Sequence, residues 1–270
     1  MESKSTWPGW ARNAIRSGLK QLERIERFVD LTTQGLDMVA RHPELLEILE
    51  SEPAHLAHAQ LRAADVKGEM EAGFPLLHGQ ATLLMWSALE GMVRDLAIDW
   101  ITNERSVLKS QALRKIRGPL PEYELLDPAE RISFLVREID RQAEAPQQTG
   151  VARFERLLNP LGLAGTVDAP LRRDLQEMHH VRNALAHSSM VVDGKLASAC
   201  PWLDLTIGDP LHVSPESFRV YSRASMAYLV TLINRVRVKF AMEPITVSLP
   251  PDPRSHGPTL TLTPPDGSAP

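Results

Sequence analysis

The stretch from Leu76 to Asn103 constrains the fold of this chain more than any other, because it is helical in pattern and apolar on more than one face. Its apolar residues recur mostly at spacings of three and four: Leu83, Leu84, Trp86, Leu89, Val93, Leu96, Ala97 and Trp100. A surface helix carries one apolar stripe, whereas a helix that is apolar around much of its circumference is buried on several sides. We therefore expect a mainly α fold in which other helices surround this core helix.

The rest of the chain supplies helices that could cover the core helix. Helical patterns run over about Pro8 to Arg41, Glu44 to Glu50, 54–72, 106–116, Ile132 to Gln142, Val151 to Leu158, 170–188 and 215 to about 242. His42-Pro43 predicts a break between the first two, because proline disfavours helical backbone in the residue before it. Asp127 and Glu130 enclose Pro128 in a capping-box-like pattern, which predicts a helix start.

These patterns divide the chain into three parts. Residues 1–73 form an N-terminal helical extension, which serves as a scaffold or as a dimerisation arm, and residues 74–243 form the main helical domain. Residues 244–270 contain eight prolines, so we predict a disordered or extended tail. Within the main domain, Asp193-Gly194 lies between apolar flanks and predicts a two-residue β-hairpin, and 202–213 predicts a second pair of short strands.

The late helix 170–188 carries the most informative polar residues of the chain. Arg182 and Asn183 are followed by His187, and His180 precedes them. Residues three, four and seven apart lie on one face of a helix, so His180, Asn183 and His187 share a face and the long side chain of Arg182 can fold over it. Ala184 and Ala186 leave room there for a substrate or another backbone.

The motif RNxxxH, formed by Arg182, Asn183 and His187 on a late helix of a helical domain, resembles that of the HEPN superfamily, and in particular its RiboL-PSP-HEPN type. The resemblance implies a HEPN-like helical bundle and a metal-independent endoribonuclease of a toxin–antitoxin or anti-phage defence system. It also implies a 2′,3′-cyclic phosphate product and a homodimer through the motif helix. An antitoxin or another protein of the defence system would be the partner.

The residue types suit that chemistry. RNA carries its own nucleophile, the 2′-hydroxyl, so the enzyme must move a proton and stabilise charge on the phosphate. Histidine exchanges protons near neutral pH, which assigns proton transfer to His187. Arginine is always charged and binds phosphate through two donors, which assigns transition-state stabilisation to Arg182. Asn183 would orient the ring or the phosphate.

Other residues could support this site. Glu90 on the core helix could hold Arg182, or it could pair with Arg94 four residues on. His180 could serve the site or lie at an interface, and zinc binding by His180, His187 and Glu177 is a further alternative, although HExxH and CxxC patterns are absent. Basic residues that could contact the RNA backbone are Arg114, Lys115 and Arg117.

Composition limits the other possibilities. A net charge of −4 argues against a protein that coats nucleic acid through its overall charge, so RNA binding would need a local basic patch. The single cysteine, Cys200, excludes an internal disulfide framework and fits a cytoplasmic protein. Walker, GxGxxG and GxSxG motifs are absent, which argues against an NTPase, a dehydrogenase or an α/β-hydrolase. We expect no cofactor, no metal and no membrane segment.

The alternative function is a non-catalytic helical module that binds RNA, a nucleotide or a partner protein.

Overall fold

The computed structural model describes residues 7–114, 118–142 and 150–255. In these ranges the fold is mainly α, as predicted. The α-helices are α1 (Gly9–Ile48), α2 (Pro53–Glu71), α3 (Pro75–Asn103), α4 (Gln111–Arg114), α5 (Leu120–Leu125), α6 (Pro128–Gln142), α7 (Val151–Leu158), α8 (Ala169–His187), α9 (Gly194–Ala199) and α10 (Pro215–Lys239). Short 3-10 turns lie at Arg105–Lys109, Asn159–Leu161, Pro201–Leu203 and Pro253–Ser255.

Helix α3 lies at the centre of the bundle. It packs against α1, α6, α7, α8 and α10. Trp86, Met85 and Leu96 are fully buried, and buried positions occur around most of its circumference. The apolar pattern of 76–103 therefore predicted the central helix correctly, because its buried residues cover more than half of its circumference and only one strip, which includes Gln80, Ser87 and Thr102, is exposed. No helix of the described residues is long and apolar enough to cross a membrane.

Helix α1 is longer than the sequence predicts. It continues through Pro43 to Ile48, so the predicted break at His42-Pro43 and the separate helix 44–50 are wrong. Proline costs a helix one backbone hydrogen bond. Pro43 is buried, however, and α2 packs along α1. Tertiary packing, which supplies most helical stability in proteins, outweighs the local preference here.

Helix α6 begins as the capping pattern predicts. The Glu130 backbone N–H donates to Asp127 Oδ1 at 2.8 Å, and the Asp127 N–H donates to Glu130 Oε2 at 3.2 Å. Two backbone donors that have no partner within the helix are thereby satisfied by side chains. Helix α6 packs against α3 and includes Asp140, which belongs to the polar cluster described below.

The predicted hairpin at Asp193-Gly194 is wrong. Asp193 is instead the N-cap of α9, and its Oδ1 accepts from the Leu196 N–H at 2.7 Å. An aspartate side chain can accept from an unpaired backbone N–H at the start of a helix, and it is equally common in turns. Asp193-Gly194 is therefore compatible with a helix N-cap as well as with a hairpin turn. A single antiparallel bridge, Val191 with Pro210, replaces the strands predicted over 190–213.

The first part of the proline-rich tail is held against the bundle. The Ile245 backbone N–H donates to Asn234 Oδ1 at 2.7 Å, and Arg223 Nε donates to the Pro250 carbonyl at 2.9 Å. Arg254 forms an ion pair with Asp174. Of the two states predicted for the tail, disordered or extended, these contacts exclude the disordered one for 244–255. Residues 256–270 lie outside the described residues.

Candidate functional site

Helix α8 holds the predicted site at the edge of the core. Its inner face buries Leu175, Met178, Val181 and Leu185 at spacings of three and four, and α8 packs against α3 and α10. His179, Arg182 and Asn183 lie beside this face and are half-buried, whereas Ala186 and His187 are exposed. The apolar face therefore fixes the helix, and the motif residues occupy the border between protein and solvent.

The structure brings Arg182 together with Glu90 of α3. Arg182 Nη2 lies 3.7 Å from Glu90 Oε2, and the two side chains are 25% and 19% exposed. Arg182 Nη1 donates to Asn183 Oδ1 at 2.9 Å. The guanidinium is thus held by a charge and by an amide, and about a quarter of the side chain stays open to solvent. Glu90 is not paired with Arg94, the other partner that the sequence allowed.

Asn183 faces His179 and not His187. Its Nδ2 lies 3.0 Å from His179 Nε2. Because the Asn183 oxygen accepts from Arg182, its nitrogen must donate, and His179 Nε2 is then the acceptor. The sequence interpretation placed Asn183 on one helix face with His180 and His187. The structure adds His179, four residues before Asn183, as its hydrogen-bond partner, a contact that was not predicted.

His179 is a neutral base in this site. Its pKa is lowered from 6.5 to about 4, chiefly by burial, and the charges of His180, Arg182 and Arg153 contribute to the same shift. Its ring lies 4.9 Å from the buried ring of Trp86 on α3. A neutral imidazole can accept from Asn183, whereas an imidazolium cannot. His179 therefore positions Asn183 and, through it, Arg182.

Glu90 connects Arg182 to a network of ion pairs. Arg153 of α7 donates from Nη1 to Glu90 Oε1 at 3.3 Å, and its Nε and Nη2 bind Asp140 at 2.8 and 2.7 Å. Arg94 Nη2 lies 3.7 Å from Asp140. The cavity between these groups is about 10 Å³, close to the size of one water molecule. The network leaves room for no more than one water molecule between these side chains, so a substrate would meet Arg182 on its exposed side.

Sequence reasoning missed Arg153 and Asp140. Arg153 is 63 residues from Glu90 in the chain, so no local spacing links them. One local feature of the sequence, a glycine, could have indicated that the start of α7 lies close to α8. Gly150 has a φ of 63° and lies so close to α8 that a Cβ there would stand 3.0 Å from Gln176 Cα. Glycine is the residue that adopts this backbone without strain, and it lets α7 begin against α8 and present Arg153.

His187 ends α8 at the protein surface. Its ring is exposed and makes no hydrogen bond or ion pair with the described part of the chain. The chain then turns sharply, because Ser189 and Met190 have φ values of 54° and 61°. Ser188 Oγ donates to Asp193 Oδ2 at 2.8 Å and ties this turn to α9. Both ring nitrogens of His187 therefore remain available to a ligand.

His180 has a different environment from His187. Its ring packs edge-on against His179 at 5.2 Å, and burial lowers its pKa. Glu177 is 3% exposed and accepts from Trp202 Nε1 at 2.7 Å and from Tyr221 Oη at 3.0 Å. Glu177 is thus a core carboxylate and cannot join His180 and His187 around a zinc ion without breaking these bonds. Within 7–114, 118–142 and 150–255, no His, Cys, Asp or Glu group could hold a metal.

Of the predicted RNA-backbone contacts, Arg114 is exposed at the end of α4. Lys115 and Arg117 lie outside the described residues. No family model, no curated protein and no solved structure matches this chain. The assignment of a function therefore depends on the geometry of the site itself.

Proposed function

We propose that this protein is a metal-independent endoribonuclease of HEPN-like architecture, with Arg182 and His187 as its catalytic residues. The observation that supports this most is the contrast between the two groups. Arg182 is held in place by Glu90 and Asn183 with a quarter of its surface open, and His187 is exposed on the same helix with an uncommitted ring. A fixed cation and a free imidazole are the two groups that cleavage by the 2′-hydroxyl requires, and here one helix supplies both.

In this proposal, His187 makes one of the two proton transfers, either from the 2′-hydroxyl or to the leaving 5′-oxygen, and water makes the other. Arg182 stabilises the negative charge that develops on the phosphoryl oxygens, because its guanidinium is permanently charged and already oriented. The attack forms a 2′,3′-cyclic phosphate and releases a 5′-hydroxyl. In this proposal Glu90 positions Arg182, and Arg153 and Asp140 hold Glu90 through the ion-pair network. A symmetric dimer through α8 would bring two such pairs together.

One observation favours a second candidate, a non-catalytic module that binds RNA, a nucleotide or a protein. Arg182 already has two partners, and Glu90 is one of them. A phosphate that approached Arg182 would compete with a fixed carboxylate. A binding module tolerates this competition, because it needs only a net attraction at the surface.

The direct test is to incubate the purified protein with total RNA and with tRNA in EDTA and to map the cut ends. The proposal expects cleavage with 2′,3′-cyclic phosphate ends, lost in Arg182→Ala and His187→Ala. Two exposed residues give matched controls: Arg172→Ala on the same helix and His212→Ala elsewhere should cut like the wild type. Intact RNA under all conditions, with binding reduced only by Arg182→Ala, would favour the binding module.

A further inference from the structure

A cavity lies where α1, α10 and the tail that follows α10 meet. Its volume is about 580 Å³, which is within the range of small-molecule binding sites. We name it the tail cavity. Its apolar lining consists of Phe218 and Met226 of α10 and of Val247, Leu249, Pro250, Pro251 and Pro253 of the tail. A cavity of this size with such a lining favours a ligand that has an apolar body.

Two carboxylates and two guanidinium groups line the same cavity. Glu26 and Asp30 lie one turn apart on α1, and Arg219 and Arg223 lie one turn apart on α10. Within the part of the chain that the structure describes, no ion pair joins any two of these four side chains. Because the opposite charges share one cavity without neutralising each other, both remain available to a ligand that carries both signs of charge.

The two arginines of α10 are held through their Nε atoms. Arg219 Nε donates to the Pro215 carbonyl at 3.3 Å, and Arg223 Nε donates to the Pro250 carbonyl at 2.9 Å. Their Nη groups form no hydrogen bond with the described residues. Each arginine therefore keeps oriented donors for a carboxylate, which is the group that a guanidinium binds best together with phosphate.

The two carboxylates of α1 have acceptor oxygens to spare. Glu26 accepts from the Ser222 hydroxyl through Oε1. Neither its second oxygen nor the carboxylate of Asp30 has a hydrogen-bond partner in 7–114, 118–142 or 150–255. A carboxylate accepts only, and an ammonium group offers three donors. Two carboxylates one turn apart on a helix therefore suit the ammonium group of a ligand.

We propose that the tail cavity binds a small zwitterion with an apolar body, of the class of dipeptides that have apolar side chains. The ammonium group of the ligand binds Glu26 and Asp30, its carboxylate binds Arg219 and Arg223, and its side chains lie against the apolar lining. A dipeptide separates its two charges, as the two helices separate theirs, whereas a single amino acid carries both charges on one carbon atom. The proposal is independent of the ribonuclease activity, because the cavity contains neither of the proposed catalytic residues.

The test measures binding of the dipeptide leucyl-phenylalanine to the full chain by isothermal titration calorimetry. Two derivatives of the dipeptide each lack one charge: N-acetylation removes the cation, and C-terminal amidation removes the anion. Each derivative should bind at least about tenfold more weakly, because one set of charge-assisted hydrogen bonds is lost. Absence of binding of the unmodified dipeptide, or equal binding of all three compounds, would overturn the proposal.

Substitutions at the exposed rim of the cavity locate the ligand. Asp30→Asn should weaken binding of the dipeptide at least about threefold and leave binding of the acetylated derivative unchanged, because that derivative has no cation to lose. Arg219→Gln should act in the same way on the dipeptide and spare the amidated derivative. Both residues are exposed, so we expect both variants to fold. Glu44→Gln, at an exposed carboxylate of α1 outside the cavity, is the matched control and should bind like the wild type.

The comparison of variants with derivatives also has a contradicting result. If Asp30→Asn weakened the acetylated derivative as much as the dipeptide, the ammonium group would not lie at this carboxylate and the proposal would be wrong. The same holds for Arg219→Gln and the amidated derivative. Equal binding of the dipeptide to the wild type and to both variants would place the ligand outside the tail cavity and would also overturn the proposal.

Discussion

The pKa of His179 gives a stability test of the site that needs no knowledge of the substrate. Its pKa falls from 6.5 to about 4 in the folded protein, chiefly because the ring is buried. As the pH falls below 6.5, the unfolded chain binds a proton at this ring and the folded chain does not. Folding is therefore destabilised between pH 6.5 and pH 4, and below pH 4 both states are protonated. At 1.36 kcal/mol per pKa unit, the loss is about 3 kcal/mol.

The experiment compares urea unfolding of the wild type and of His179→Gln, followed by circular dichroism at several pH values between about 7.5 and 4.5. Other titrating groups are shared, so the difference between the two proteins isolates His179. We expect the free energy of unfolding of the wild type to fall by about 2–3 kcal/mol more than that of the variant over this range. The exposed His212→Gln is the matched control and should follow the wild type. A difference that stays constant with pH, or an NMR titration of His179 near pH 6.5, would refute the burial argument.

Three further substitutions test the elements that support the site, each by urea unfolding at neutral pH. Arg153→Met removes a partner of Glu90 and of Asp140 in a part-buried network and should lower the free energy of unfolding by about 1–3 kcal/mol. The exposed control Arg172→Met should lower it by less than about 0.5 kcal/mol, and equal losses would contradict the role of the network. Gly150→Ala forces a positive φ and a contact with α8, so we expect a loss of about 1–3 kcal/mol, and an unchanged midpoint would show that α7 can shift without cost. Arg254→Ala removes the ion pair between the tail and Asp174. It should lower the free energy of unfolding by about 1 kcal/mol, because the arginine is partly solvated, and it should make proteolysis near 244–255 faster. Resistance to proteolysis equal to that of the wild type would mean that the other contacts are enough to hold the tail.

Several features of the fold were predictable because they are local. The apolar circumference of 76–103 predicted a buried central helix, and Asp127 with Glu130 predicted the start of α6. The motif helix was also predicted within one residue at either end. In each case the physical cause, a periodic apolar pattern or a side-chain cap, lies within a few residues of the structure that it produces.

The features that were missed depend on residues far apart in the chain. Pro43 continues a helix because α2 packs along α1, and Asp193 caps a helix in place of forming a turn. In the site, the pairing of Glu90 with Arg182 was an option read from the sequence, but the bridge from Glu90 to Arg153 and Asp140 was not. Those partners come from α6 and α7, and only the packed bundle brings them together.

The rate of RNA cleavage by single and double variants tests the central claim most directly. The substrate is one end-labelled RNA that contains a mapped cleavage site, in EDTA. Arg182→Ala and His187→Ala should each lower the initial rate at least about 10²-fold, and the double variant should be little slower than the slower single one, because both groups act in the same step. If both single variants cut this RNA at the wild-type rate, Arg182 and His187 are not the catalytic residues.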